Sequence, residues 1–350
     1  MRQKVRQAVE TVATWSAIPA RRGLRVLELA HDDPVLIAAL DELEPERGVA
    51  LDHYRVLLEP TDAHKKNIVV LEDDEPLAVL GLRRRPDFWE PVIFQCMIDY
   101  FAPARSPRDL SRAAAATGLE IRLEADLVEP LDGAHDSWPN GAFQVDLTGD
   151  YREYWRTVGK EYAKRGVGPG MTSLKRARKH TKEMEVRVDE PGDIRWILTE
   201  WERAWRQHGR GETIAFQDRL RWFESLAANP PSDWNVHTLS LYENDAPVTG
   251  KLMLIRDGHV VATATAITEG AVTGIGNRTA ELSIEWAEAQ GHHTFDMGAG
   301  FGYKVWWGPI GQYRHAAQFR PPLSRGIQRA LEPIRSRRRS HAQDEFADLA

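Results

Sequence analysis

Phe295-Asp296-Met297-Gly298-Ala299-Gly300-Phe301-Gly302-Tyr303-Lys304-Val305-Trp306-Trp307-Gly308 is the stretch that decides how this chain is read. It opens as a strand-like run, His293 to Met297, and continues through glycines to a Tyr-Lys pair and a double tryptophan. Upstream lies a helical stretch, Asn277 to Gln290, and before it a strand-like run, Val260 to Ile267. The loop between those two, Glu269 to Asn277, contains Gly270, Gly274 and Gly276. The order is strand, glycine loop, helix, strand, glycine-rich loop ending in Tyr-Lys. A helix that starts on a glycine loop presents free backbone N–H groups to an anion. Glycine lets a ligand come close to the backbone, and Asn277 is a good N-cap candidate. Gly274, Ile275, Gly276, Asn277, Arg278 and Thr279 are therefore candidates to hold a pyrophosphate or a pantetheine arm. A tight strand-to-helix turn is the plainer reading of Gly-Ile-Gly taken alone.

Working outward, Asn235 to Tyr242, Pro247 to Ile255 and Val260 to Ile267 read as a three-stranded meander. Its turns are Glu243-Asn244-Asp245 and Arg256-Asp257-Gly258. Helices are expected over Tyr151 to Ala163, Thr172 to Met184, Asp193 to His208 and Gln217 to Ala228, with a glycine-rich break at Gly166 to Gly170. The segment Lys160 to Arg187 holds nine Lys or Arg against three Glu. Lys175, Arg178, Lys179 and Lys182 fall on one helical face, with Arg176 beside them. Such a face can hold a phosphorylated acceptor, a polyanion or tRNA, and a solvated surface is the commoner meaning of a charge run. No aromatic residue interleaves with it from 171 to 187, so base stacking has no support. Trp196, Trp201 and Trp205 share one side of their helix and read as packing.

The first half has a mixed α/β pattern. Strands are expected at Leu24 to Leu29, Asn67 to Leu71, Leu77 to Leu82, Val92 to Tyr100, Leu119 to Leu127 and Ala142 to Leu147. Helices are expected at Pro34 to Leu43 and Pro107 to Thr117. Asp73-Asp74-Glu75-Pro76 signals a hairpin. Because both halves contain an acidic-turn hairpin followed by a long strand, they can be copies of one α+β fold. A chain of 350 residues is long for one core and points to two domains. With 42% hydrophobic and 28% charged residues it reads as soluble and globular. It has no spanning apolar run and no secretory h-region near its start. Cys96 is the single cysteine, which excludes an internal disulfide and a cysteine-cluster metal site and fits the cytoplasm. His208, His292 and His293 have no metal-ligand spacing, so no metal is assigned. No Gly-x-Ser-x-Gly elbow is present.

The order of elements resembles the acyl-CoA-binding half of the Gcn5-related N-acetyltransferase (GNAT) superfamily. Gly291, Phe295-Asp296-Met297-Gly298 and Gly302-Tyr303-Lys304-Val305-Trp306 resemble its CelD-type branch, which is similar to the Fem-type transferases that add amino acids to peptidoglycan precursors. The chain departs from the usual acetyltransferase loop in carrying Ala271 where Gln or Arg stands. The resemblance implies two GNAT-like domains with a mixed sheet and flanking helices. A basic extension (1–23) would precede a degenerate first domain (24–148). A donor-binding domain (149–322) and a flexible basic tail (323–350) would follow, the tail able to touch a membrane surface. It also implies an N-acyltransferase that uses acetyl-CoA or another acyl-CoA. The acceptor would be an amine, or a hydroxyl, of a sugar, an amino-acid-like molecule or a cell-envelope precursor. Aminoacyl-tRNA-dependent transfer and ligand binding without chemistry are the alternatives.

The residues suggest roles in that frame. Lys304 can stabilise an oxyanion or bind phosphate. Tyr303 can protonate a leaving thiolate. Asp296 can orient Lys304 or take a proton from the acceptor amine, and its plainer role is to bond the backbone of Gly298 to Gly300. Lys175, Arg176, Arg178, Lys179 and Trp306 are the candidates for the acceptor.

Overall fold

The computed structural model describes residues 23–43, 56, 58–60, 64–85, 87–92, 103–127, 136–166, 171–207, 216–230, 234–299 and 302–319. Cys96, His208, Gly300, most of the strand expected at Val92 to Tyr100 and the basic tail lie outside the described residues.

Two hairpins set the frame. In the first half β2 (Lys65–Glu72) turns at Asp73-Asp74 into β3 (Glu75–Arg84). In the second β8 (Trp234–Glu243) turns at Asn244-Asp245 into β9 (Ala246–Arg256). Both residues of each turn have positive φ, 52° and 65° in the first and 52° and 61° in the second. Two such residues give the turn a twist that matches the flanking strands, and Asp and Asn tolerate it best after glycine. Each hairpin also has a register shift just behind the turn, at Val70/Leu71 and at Leu241/Tyr242. A parallel strand pair with a helix between its members in sequence follows in each half. The first is β4 (Trp89–Pro91), α2 (Pro107–Ala116) and β5 (Ile121–Leu127). The second is β10 (His259–Ile267), α7 (Ile275–Ala289) and β11 (Thr294–Ala299).

Among the described residues the halves join into one twelve-stranded sheet of order β1-β2-β3-β4-β5-β12-β6-β11-β10-β9-β8-β7. Its ends are β1 (Leu24–Leu29) and β7 (Glu185–Val188), and its centre is the antiparallel pair β6 (Asp136–Asp146) and β12 (Ile310–Phe319). Read from either end, the same series of strands runs inward to that pair. The chain is an α+β protein with an internal repeat, as the two acidic-turn hairpins lead one to expect. The central strands are exchanged: β6, early in the chain, pairs with β11, and β12, late in the chain, pairs with β5.

Helix starts follow local chemistry. Asp33 accepts the Val35 N–H at 2.8 Å ahead of α1 (Pro34–Glu42). Ser106 accepts the Asp109 N–H at 3.1 Å ahead of α2. In both, proline occupies the first turn, where its missing N–H costs nothing. Other helices among the described residues are α3 (Tyr151–Tyr154, continued by the π-helical Trp155–Gly159 and by Lys160–Lys164), α4 (Met171–His180), α5 (Asp193–Gln207) and α6 (Phe216–Ala228).

Strand β9 shows how the sheet is covered. Gly250, Leu252 and Leu254 face α5: a Cβ on Gly250 would meet Trp196 and Ile197, and the two leucines share a core with Ile197 and Leu198. Thr249, Met253 and Ile255 face α7, through the contact of Thr249 with Thr279 and the core shared with Ile284 and Ala287. Lys251 stands in that second series, because side chains alternate along a strand. The core on the α5 side runs through both halves, from Val26 and Leu36 to Trp222 and Leu254. A buried ion pair, Lys65 Nζ to Asp218 Oδ1 at 2.6 Å, ties β2 to α6.

Candidate active site

Strands β10 and β11 are paired at His259–Thr294, Val260–Phe295 and Val261–Asp296. Beyond that point β10 runs on to Ile267 beside β9, whereas β11 bulges after Asp296 and continues beside β6. The strands part, and their facing edges leave backbone N–H and C=O groups that need partners. An extended ligand can supply them.

Asp296 closes the paired part of the gap. It is buried, its Oδ1 accepts the Gly298 N–H at 2.6 Å, and Gln144 Nε2 lies 3.5 Å from its Oδ2. The plainer sequence reading of Asp296, a turn acid bonding to the backbone after it, is thus seen, and the carboxylate also faces Lys304. Lys304 lies in a short 3₁₀ turn, Gly302–Trp306, where the sequence suggested an open loop. Its ammonium would stand 3.5 Å from a Cβ placed on Gly298. Burial pushes the Lys304 amine down to about 8, and the Asp296 carboxylate works against that shift. Tyr303 lies in the same turn, and its side chain is outside the described residues.

A second lysine joins the site. Lys251 is buried on β9, and its Nζ donates to Thr265 Oγ1 on β10 at 2.8 Å. Burial first, and the positive charge of Lys304 second, push its amine down to about 7. Sequence reading missed it. The signal was a lone lysine inside the apolar run Val248 to Ile255, where a charge is expensive unless it has work to do.

The start of α7 differs from the sequence reading in detail. Gly274, at φ +92°, is the N-cap, and Asn277 lies inside the first turn. That φ suits glycine, and any Cβ there would stand 2.8 Å from the Ser173 carbonyl oxygen of α4. The N–H groups of Ile275, Asn277 and Arg278 bond to Val272 and Gly274 carbonyls within the turn. Ile275 is buried, and buried Thr279 bonds Thr249 at 2.9 Å and the Ile275 carbonyl at 3.0 Å, so these two hold α7 on the sheet. Gly276, Asn277 and Arg278 are half-buried and form the accessible part of the loop.

The basic helix α4 splits in two. Lys175, Arg176 and Lys179 are exposed. Arg178 turns back to the buried carboxylate of Glu281, with its Nε at 3.1 Å, and Arg278 reaches the same carboxylate at 2.5 Å. That ion pair raises the Arg178 pKa and latches α4 onto α7. Trp306 is enclosed, stacked on Trp155 at 5.6 Å and edge-on to Trp307 at 4.5 Å. Tyr154 and Trp155 of α3 donate to the Val305 and Trp307 carbonyls at 2.7 and 2.8 Å, fixing the turn that carries Lys304. Trp201 packs on Trp205 and under Arg219, as a packing role requires. No helix among the described residues is long and apolar enough to cross a membrane. No group of metal-ligating side chains is found among them either.

A family model described as an acetyltransferase (GNAT) domain matches residues 170–305. No curated protein matches the chain. Solved structures similar to it include L-PGS from Bacillus licheniformis, 15% identical, with 86% of this chain and 96% of that one covered and a TM-score of 0.48. A tandem GNAT protein from the clavulanic acid biosynthesis pathway is 11% identical, with 84% and 98% covered and a TM-score of 0.45. FemX is 10% identical, with 83% and 96% covered and a TM-score of 0.41. The matched segment takes in α4, the meander, the parting strands, α7 and the turn up to Val305, so over residues 170–305 the chain matches a GNAT acetyltransferase domain.

Proposed function

We propose that the chain is an N-acyltransferase that moves an acyl group from an acyl-CoA to an amine, or a hydroxyl, of a sugar or amino-acid-like acceptor. The observation that carries this reading is the parting of β10 from β11 with Asp296 and Lys304 at its mouth. The pantetheine arm would lie along the open strand edges and use their backbone groups. The phosphates would lie toward Gly276, Asn277 and Arg278, at the positive end of the α7 dipole and near the exposed lysines of α4. Lys304 would face the thioester oxygen, where negative charge develops as the acceptor attacks. Asp296 would hold that ammonium in place and sustain its charge.

A second reading, aminoacyl-tRNA as donor, is favoured by one observation, the exposed Lys175, Arg176 and Lys179 beside the α7 start. Thiol release from acetyl-CoA and longer acyl-CoAs, followed with a panel of amino sugars and amino acids, tests the first reading. Release that depends on an added amine supports it. Silence across all donors, together with salt-sensitive binding of aminoacyl-tRNA, would move the assignment to the second.

A further inference from the structure

Lys251 is a buried ammonium-bearing side chain that the reading above does not use. Its surroundings are specific. It lies in the series on β9 that faces α7, between Thr249 and Met253. Its register partner on β10 is Thr265, whose hydroxyl it bonds. Its partner on β8 is Leu239, which is buried and neutral. The charged side chains of α7 nearest α4, Arg278 and Glu281, are engaged with each other and with Arg178. On the other face of the sheet, Asp193 of α5 accepts from Ser240 and Tyr242. The charge that bears on Lys251 is Lys304, and Asp296 bears on Lys304 in turn.

Thr265 matters because of where it is. It lies past Val261, the last residue of β10 paired with β11, on the stretch whose edge faces the gap. It is half-buried, whereas Lys251 behind it is enclosed. A hydroxyl can donate one hydrogen bond and accept others, so it can pass a proton between the gap and the amine. The positive charge of Lys304 disfavours a second charge on Lys251, and that cost is relieved when Lys251 is neutral. Lys251 is enclosed and bonded to the neutral Thr265 hydroxyl, so it is the one that gives up its charge, whereas the Asp296 carboxylate helps Lys304 keep its own.

Resting on the acyltransfer reading, we propose that Lys251, acting through the Thr265 hydroxyl, is the base that takes the proton of the acceptor amine while Lys304 stays charged at the thioester oxygen. In the step, the acceptor nitrogen forms a bond to the thioester carbon and the carbon–sulfur bond breaks. With Lys251 neutral, the same contact runs the other way, the Thr265 hydroxyl donating to the amine lone pair, and Thr265 receives the proton of the attacking nitrogen as it gives its own to Lys251. The thiolate leaves and takes up a proton, and Lys251 returns its own to solvent, so the amide and free thiol are the net products. Lys251 acts through another group and is a positioning and proton-accepting residue behind the site.

The test follows kcat against pH with acetyl-CoA and the amino sugar or amino acid that wild type acylates, for wild type, Lys251→Met, Thr265→Val and Thr265→Ser. The quantity kcat reports groups in the bound complex, so the titration of free acceptor in solution drops out. Wild type should lose rate as pH falls through neutrality. Lys251→Met should lower kcat by about 10²–10⁴, abolish that limb and leave KM for acetyl-CoA little changed. Thr265→Val should behave likewise, and Thr265→Ser should retain most of the rate. An unchanged kcat and an unchanged acid limb in Lys251→Met overturns the proposal. If that variant does not fold, the same result in Thr265→Val overturns it. If wild type acylates nothing, the acyltransfer reading has failed on its own. Side-chain ¹⁵N NMR of the lysines in the full chain then decides the remainder: a Lys251 ammonium still protonated above about pH 9 contradicts it.

Discussion

Burial disfavours the charged form of both Lys251 and Lys304; the charge of Lys304 adds to that at Lys251, and the Asp296 carboxylate offsets part of it at Lys304. The two lysines therefore differ in what their loss should do. Lys304→Met keeps the stem and removes the charge that faces the gap. It should lower turnover by about 10²–10³ with little change in melting temperature. Normal turnover would remove Lys304 from the chemistry, and a much earlier melt would make it structural. Lys251→Met should show itself in stability as well. The folded chain releases the Lys251 proton near pH 7, and the unfolded chain holds it to an ordinary 10.5. Between those values the unfolded state binds more protons, so this group makes stability rise with pH across the window and weakens the fold most below about 7. The variant's gain in melting temperature over wild type should be largest near pH 6 and should fade toward pH 10. A difference that is flat with pH would mean that Lys251 titrates as an exposed lysine.

At the scale of elements, the β10–α7–β11 unit was legible in sequence because each part follows a local rule. The strands have their apolar runs, the turn has its glycines, and the acidic hairpins have residues that accept positive φ. The Tyr-Lys motif drew attention to Lys304 and Asp296, and the Asp296 carboxylate acts on that ammonium. Other parts were not legible. β12 was not expected at all, and β6 proved longer than its apolar portion, because their partners lie far away in the chain and no local pattern records that exchange. Lys251 was hidden inside an apolar strand, since alternation reports burial and not proximity to another lysine. The α7 start was placed at Asn277 because side-chain capping is readable, whereas Gly274 caps through its backbone. The strand exchange has a consequence for dissection of the chain. A fragment spanning residues 149–319 would leave β11 without β6 and β12 without β5. Exposed edges of that kind invite aggregation. The fragment should lack a cooperative melt by circular dichroism, and should regain one when residues 23–148 are supplied in trans. A cooperative melt of the fragment alone would mean that the exchanged strands do not hold the halves together.

Across the whole molecule, the repeat places two parallel strand pairs on either side of the β6–β12 centre, and they are not equivalent. The second pair has the glycine-capped α7, the two lysines and the adjoining basic helix. The corresponding region of the first half has the buried Arg83–Glu90 pair at 2.5 Å between β3 and β4, with Arg85 also on Glu90 at 3.2 Å. There one carboxylate stands between two guanidiniums, where the second half has two lysines. The proposed donor site therefore lies in the second half alone. Calorimetric titration of the full chain with acetyl-CoA and longer acyl-CoAs tests this most directly. Saturable binding of one acyl-CoA per chain is expected, weakened when Gly276 is replaced by a bulky residue at the start of α7. No heat from any acyl-CoA at high concentration, with the chain folded, would contradict it.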